Sequence, residues 1–153
     1  MEIDDELTTY LQPGPFSVIV ASCDAQLTPE TTRGWGMSRL GDGRTIDVFV
    51  GREPSRRLIE NLRGRGAMAL AIANVTSYQA LQLKGRCIDI GEADEEDRLR
   101  VHAHGEAFVA GLRLVGISEA AGRGMLVSDV VRLRFVPDAL FNQTPGPDAG
   151  TPR

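Results

Sequence analysis

Ser55, Arg56 and Arg57 stand where an apolar run, Val48-Phe49-Val50-Gly51, passes through a short turn into a helical pattern, Leu58-Ile59-Glu60-Asn61-Leu62. A helix start exposes N–H groups without intrahelical partners and carries a partial positive charge. One hydroxyl and two guanidinium groups added there make a seat for a phosphate. Arginines in a first turn oppose the helix dipole, and a bound anion would offset that cost. Pro54 and Ser55 are also ordinary helix starters, so the same residues serve a plain helix opening equally well.

Other chemistry is sparse. Trp35, flanked by Gly34 and Gly36, is the only tryptophan; its ring could cover a ligand or fill a barrel. His102 and His104 are two apart, so on a helix they do not share a face, and no paired metal site is expected. Cys23 and Cys87 lie in apolar, strand-like segments far from each other and read as small core residues. No Ser/His/Asp or Cys/His nucleophile and no tuned carboxylate pair is apparent. Gly64-Arg65-Gly66 does not follow a strand and open a helix, as a dinucleotide fingerprint would.

The elements that must hold these groups follow from patterning. Phe16–Cys23, Thr31–Arg39, Thr45–Val50, Ala67–Ala73, Tyr78–Ile90 and Leu126–Val136 read as strands. In the fifth, Ala80, Gln82 and Lys84 alternate with Leu81 and Leu83, and Gly85 is expected to bend it. A short helix spans Pro54–Arg63. A longer one, capped by Asp94 and acidic in its first turn, runs towards Gly111. Six strands with peripheral helices predict a mainly β (α+β) fold, a small antiparallel barrel that hides its edges by closure.

At 153 residues the chain is expected to be a single domain, 1–153, with an ordered core over about 12–143 and flexible tails. A net charge of −4 without a basic stripe argues against nucleic acid. No apolar run reaches membrane-spanning length, and the acidic N-terminus is not a signal peptide, so the expected location is cytoplasmic.

The order of these elements resembles the FMN-binding split-barrel family related to pyridoxamine 5'-phosphate oxidase, across roughly residues 16–141. The residues that carry the likeness are Phe49-Val50-Gly51, then Ser55-Arg56-Arg57 and Asn61, then the strand from Gln79 to Gly85 and the acidic helix start Glu92–Asp97. The resemblance implies a six-stranded antiparallel split β-barrel and a homodimer with the cofactor at the subunit interface. The implied cofactor is FMN, or alternatively a deazaflavin or haem. By position, Ser55, Arg56 and Arg57 would clamp the phosphate, with Val50 and Gly51 at the strand end. A second-strand cation would assist, either Arg33 or Arg39; Arg33 is preferred because the glycines after it allow close backbone approach to a ring. Gln82 would hydrogen-bond the flavin, and Trp35 would line a substrate cleft.

The implied function is that of a flavoprotein oxidoreductase, acting on a small molecule by hydride transfer through flavin N5. The alternative is a non-catalytic flavin- or haem-binding carrier or sensor. Vitamin B6 oxidation itself is not implied. The position of the glutamine that the family often carries holds Ala80. The last strand reads Arg132-Leu133-Arg134, with no Arg-x-His pattern. The longer N-terminal arm of the oxidase is also missing.

Overall fold

A computed structural model describes residues 1–153. Six strands close into an antiparallel barrel in the order β1-β2-β3-β6-β5-β4. They are β1 (Phe16–Cys23), β2 (Pro29–Arg39), β3 (Ile46–Gly51), β4 (Ala67–Asn74), β5 (Ala80–Glu92) and β6 (Val130–Asn142). Four helices accompany them: α1 (Asp5–Tyr10), α2 (Arg56–Arg65), α3 (Glu95–Leu114) and α4 (Glu119–Arg123). The expected six-stranded antiparallel barrel is therefore the observed one.

Alternation decides which residues fill it. Val18 and Val20 of β1, Met68, Leu70 and Ile72 of β4, Leu81 and Leu83 of β5, and Leu133 and Phe135 of β6 are buried in one cluster. Their sequence neighbours Ala67, Ala69, Ala71 and Ala73 turn outwards and are half-buried. A second, smaller cluster lies outside the barrel wall. There Trp35 and Phe49 meet Val101 and Phe108 of α3.

Gly85 bends β5 as expected, at a break in register between Lys84 and Gly85. A Cβ there would stand 2.1 Å from the Val136 carbonyl oxygen, so no side chain fits. Pro137 pairs opposite Gly85 in the same irregularity, where a missing N–H breaks no regular ladder. This is why β6 continues past its expected end at 136. Its expected start at 126 is also displaced, because residues 126–129 form the loop that approaches it.

Both ends of the chain pack against the barrel. Asp4 caps α1 by accepting from the Leu7 N–H. Ile3, Leu7 and Leu11 are all at most 2% exposed and belong to the main core. The C-terminal segment folds back on β6. Pro152 bridges to Phe141, and Arg153 pairs with Glu6 at 2.8 Å. The hydrophobic core thus includes side chains from residues 3–11. Cys23 and Cys87 are free and half-buried. No helix is long and apolar enough to cross a membrane.

Candidate functional site

The strand, turn and helix around Ser55 are fixed at several points. All of β3 is buried. At its end a Cβ on Gly51 would lie 2.8 Å from Pro54 Cγ, so the glycine is what lets the turn fold back. Ser55 is 1% exposed. Its Oγ lies 3.0 Å from Thr32 Oγ1 on β2. Asn61 Nδ2 donates to Ser22 Oγ at 3.2 Å, which fastens the middle of α2 to β1.

Ser55 spends its hydroxyl on Thr32 and makes no capping bond, and α2 has no acid in its first turn. The Arg56 N–H donates to the Glu53 carbonyl at 3.4 Å, while those of Arg57 and Leu58 are left open, with the partial positive charge of the helix start unopposed by any acid. Arg56 and Arg57 are exposed there. Their nearest carboxylates are Glu53 at 3.9 Å and Glu30 at 3.6 Å, both beyond hydrogen-bond length. Each guanidinium makes one long ion pair and no side-chain hydrogen bond, which leaves its donors free to take a phosphate group at this corner.

Arg52, which sequence reasoning passed over, is fully committed. Its Nε donates to both carboxylate oxygens of Asp129 at 3.1 Å, and its two other nitrogens reach the two oxygens of Glu92. Its backbone N–H also donates to the Asp129 carbonyl at 3.0 Å. Its pKa is raised, first by the hydrogen bonds to Glu92 and Asp129. Glu92 is correspondingly lowered by Arg52. Beside this group a groove of about 290 Å³ runs between α2 and the strand ends, with Arg56 and Arg63 on one wall and Ile90 and Val131 on the other.

Arg33 stands apart from the α2 start. Thr32 faces Ser55, and Arg33, its neighbour on the strand, turns to the opposite side of the sheet. It donates to Ser17 Oγ at 3.0 Å. Its guanidinium carbon lies 5.2 Å from the centre of the Phe108 ring and 5.8 Å from that of Trp35, within cation–π range. Burial lowers its pKa. His104, 3% exposed, lies in the same layer. Its pKa is pushed down to about 4, first by burial and then by the Arg33 charge, against a backbone contact to Phe16. The imidazole is therefore neutral at pH 7. His102 is exposed.

Trp35 is 4% exposed and lies outside the barrel core. It meets Phe108 edge-on, with centroids 6.0 Å apart, under α3. Gly36 permits this. Its φ of +153° lies outside the range of ordinary residues, and a Cβ there would sit 3.5 Å from Val101 Cα. Trp35 also contributes to a cavity of about 410 Å³ between α3 and residues 126–128, whose rim carries Arg98, His102 and Glu106. Glu106 is bound twice by Arg123. Arg98 and His102 take part in no ion pair.

Gln82 lies on the outer face. It pairs with Ala71, Ala71 with Ile19, and Ile19 with Arg33. One row across four strands thus joins Arg33 to Gln82, roughly 14 Å apart at about 4.8 Å per strand. Gln143 Nε2 donates to Gln82 Oε1 at 3.3 Å. Thr144 Oγ1 accepts from the Ala80 N–H at 3.0 Å. Gln143 and Thr144 therefore hold the chain after β6 against β5 beside Gln82.

The structure thus gathers Val50, Gly51, Ser55, Arg56 and Arg57 in one corner. It sets Arg33 and Gln82 on the outer face and buries Trp35 beneath α3.

No protein-family model matches the chain, and no curated protein matches it. Solved structures do. An F420 reductase superposes with a TM-score of 0.57 at 16% identity, covering 85% of this chain and 92% of the other. HupZ of Group A Streptococcus gives 0.54 at 19% identity, covering 97% and 99%. A Clostridium acetobutylicum protein related to general stress protein 26, of the pyridoxinephosphate oxidase family, gives 0.52 at 17%, covering 92% and 87%. At these identities the likeness is one of fold, and the fold of this chain is the split barrel of the pyridoxamine 5'-phosphate oxidase-like proteins.

Proposed function

We propose that the chain binds a flavin-type cofactor through its phosphate at the start of α2, and that it does so as a homodimer. The observation that carries this reading is the uncapped α2 N-terminus, with Arg56 and Arg57 beside it and no carboxylate within hydrogen-bond reach of either. Two proteins of the same fold support it: one is by its name an F420 reductase, and the other belongs by its name to the pyridoxinephosphate oxidase family. FMN is the proposed cofactor, and a deazaflavin of the F420 kind is the alternative that the first of these supports.

The residues divide the work. Arg56, Arg57 and the open N–H groups of α2 would hold the phosphate dianion. The Gly51 backbone would lie alongside, and buried Ser55 would keep the helix start against β2. Arg33 would take part from the outer face, and Gln82 would offer its amide to the ring edge. When bound, the flavin supplies the hydride acceptor, so the chain needs no catalytic triad. The Trp35-floored cavity would receive a small-molecule substrate and keep it from water.

A second copy would cover the outer alanine face of β4 and its neighbours Ile19 and Ala21 on β1. These side chains are half-buried and, apart from Ile19, small, so two copies would approach closely here.

The test is titration of FMN, riboflavin and F420 into the purified protein, followed by flavin fluorescence, with light scattering for the assembly. FMN should bind and riboflavin should bind much more weakly. Arg56→Ala/Arg57→Ala should remove that preference, since each charge-assisted bond lost costs about 1.5–3 kcal/mol. Equal affinity for FMN and riboflavin would refute the phosphate seat. Ala71→Arg should yield monomers.

A further inference from the structure

We infer that Arg52 is a positioning residue for the phosphate corner: it sets the geometry of the Gly51–Ser55 turn without touching the ligand. The inference rests on the proposed phosphate seat and names what holds it in shape.

The geometry begins with what α2 lacks. The helix is fastened to β1 by Ser22 and Asn61, and to β2 by the Thr32–Ser55 contact. Both anchors lie on one side of it. The other side faces the ends of β5 and β6 across the groove, with Arg56 and Arg63 lining the gap. Arg52, at the head of the turn into α2, ties that turn to the β5 and β6 side of the groove. One guanidinium takes Glu92 at the end of β5 in a two-pronged bond and Asp129 just before β6 through Nε. The Arg52 N–H extends the β3–β6 ladder by a further bond to the Asp129 carbonyl.

A planar guanidinium with two carboxylates on separate edges has one orientation, which a lysine cannot reproduce. An isolated surface ion pair contributes little, but a network with two-pronged geometry is the exception. Four residues of turn thus run from a fixed backbone at Gly51, past a fixed side chain at Arg52, to a fixed hydroxyl at Ser55. The spacing of the open N–H groups and of Arg56 is set by those three points. Arg52 also neutralises two acids that would otherwise repel a phosphate.

Arg52→Met tests this, with melting curves to show that the barrel remains folded. FMN affinity should fall about tenfold while riboflavin affinity is unchanged, because only the phosphate corner is loosened. Arg52→Lys should fall between the two. Equal losses for both ligands, or no loss for FMN, would overturn the inference. The triple variant Arg52→Met/Glu92→Gln/Asp129→Asn removes the strap and both negative charges. FMN affinity that stays weak supports positioning; full recovery shows that Arg52 only screened charge and overturns it.

Amide exchange needs no flavin. In Arg52→Met, protection should drop at the Arg52 and Arg56 amides, which donate to the Asp129 and Glu53 carbonyls at 3.0 and 3.4 Å, and stay unchanged in β1 and β4; unchanged protection at both rejects the inference. If the wild-type chain shows no preference for FMN, the cofactor reading fails by itself. The exchange result then decides alone whether Arg52 holds the turn.

Discussion

Thr32 Oγ1 and Ser55 Oγ stand 3.0 Å apart, one on β2 and the other at the start of α2, and Ser55 is almost wholly buried. The bond replaces the cap that Ser55 would otherwise form, so it stabilises the helix position and opens the helix N-terminus at the same time. Thr32→Val keeps the shape and leaves a buried hydroxyl without a partner. It should destabilise the protein by about 1–3 kcal/mol. Adding Ser55→Ala should recover part of the loss, because removing both partners avoids the unpaired group. Urea unfolding of the two single variants and the double variant measures the coupling.

Gly85 gives a larger effect. A Cβ would meet the Val136 carbonyl oxygen at 2.1 Å and Pro137 Cα at 2.8 Å, and both are backbone atoms that no rotamer change can move. Gly85→Ala must therefore open the β5–β6 pairing at its bulge. We expect a loss of about 3 kcal/mol, the top of the usual range for strained backbone sites and overpacked cores. Gly64→Ala is the control: nothing lies within 4 Å of its Cβ position, and alanine favours the helix. Thermal melts should show Gly64→Ala at or above the wild type and Gly85→Ala far below it.

The strands were legible because alternation is a local signal. Leu81 and Leu83 against Gln82 and Lys84 needed no knowledge of the rest of the chain. The same holds for Asp94 and the acids that open α3, where Asp94 and Asp97 form a reciprocal capping box. What was hidden depends on partners distant in sequence. Arg52 meets Asp129 77 residues away and Glu92 40 residues away, and no spacing rule connects them. Trp35 looked equally suited to a barrel interior or a cleft, because periodicity does not say which helix covers an outer face. Arg33 was placed on the correct strand, but alternation turns it away from Ser55 and towards Phe108. The N-terminal helix is hard to see because Asp4, Asp5 and Glu6 make the segment look solvated, although Leu7 within it and Ile3 and Leu11 on either side are buried and spaced four apart.

Those three side chains yield the next prediction. Leu7 is 2% exposed among core residues of the barrel. Leu7→Ala should cost about 2–5 kcal/mol, the usual range for a buried leucine. Thr9→Ala on the exposed side of the same helix should cost well under 1 kcal/mol. Similar small losses in both variants would mean that α1 contributes nothing to the core. Chemical unfolding of the two variants makes the comparison.

His104 ties stability to pH. In the unfolded chain its pKa is near the ordinary 6.5, and in the folded protein burial and Arg33 bring it to about 4. The unfolded state therefore binds more protons between those values, and stability falls as pH falls through that window. Above 6.5 the term is absent; below 4 it is complete. A shift of this size corresponds to about 3 kcal/mol. Glu92 and Glu106 are held below the ordinary carboxylate range by Arg52 and Arg123, so their own contributions are lost at lower pH. Unfolding at pH 7, 5.5 and 4.5 should show a declining wild type and a flatter His104→Gln. In Arg33→Met the repelling cation is gone, so the imidazole titration followed by NMR should move upward and the pH slope should shrink. An unchanged titration in Arg33→Met would show that the guanidinium does not face His104 in solution.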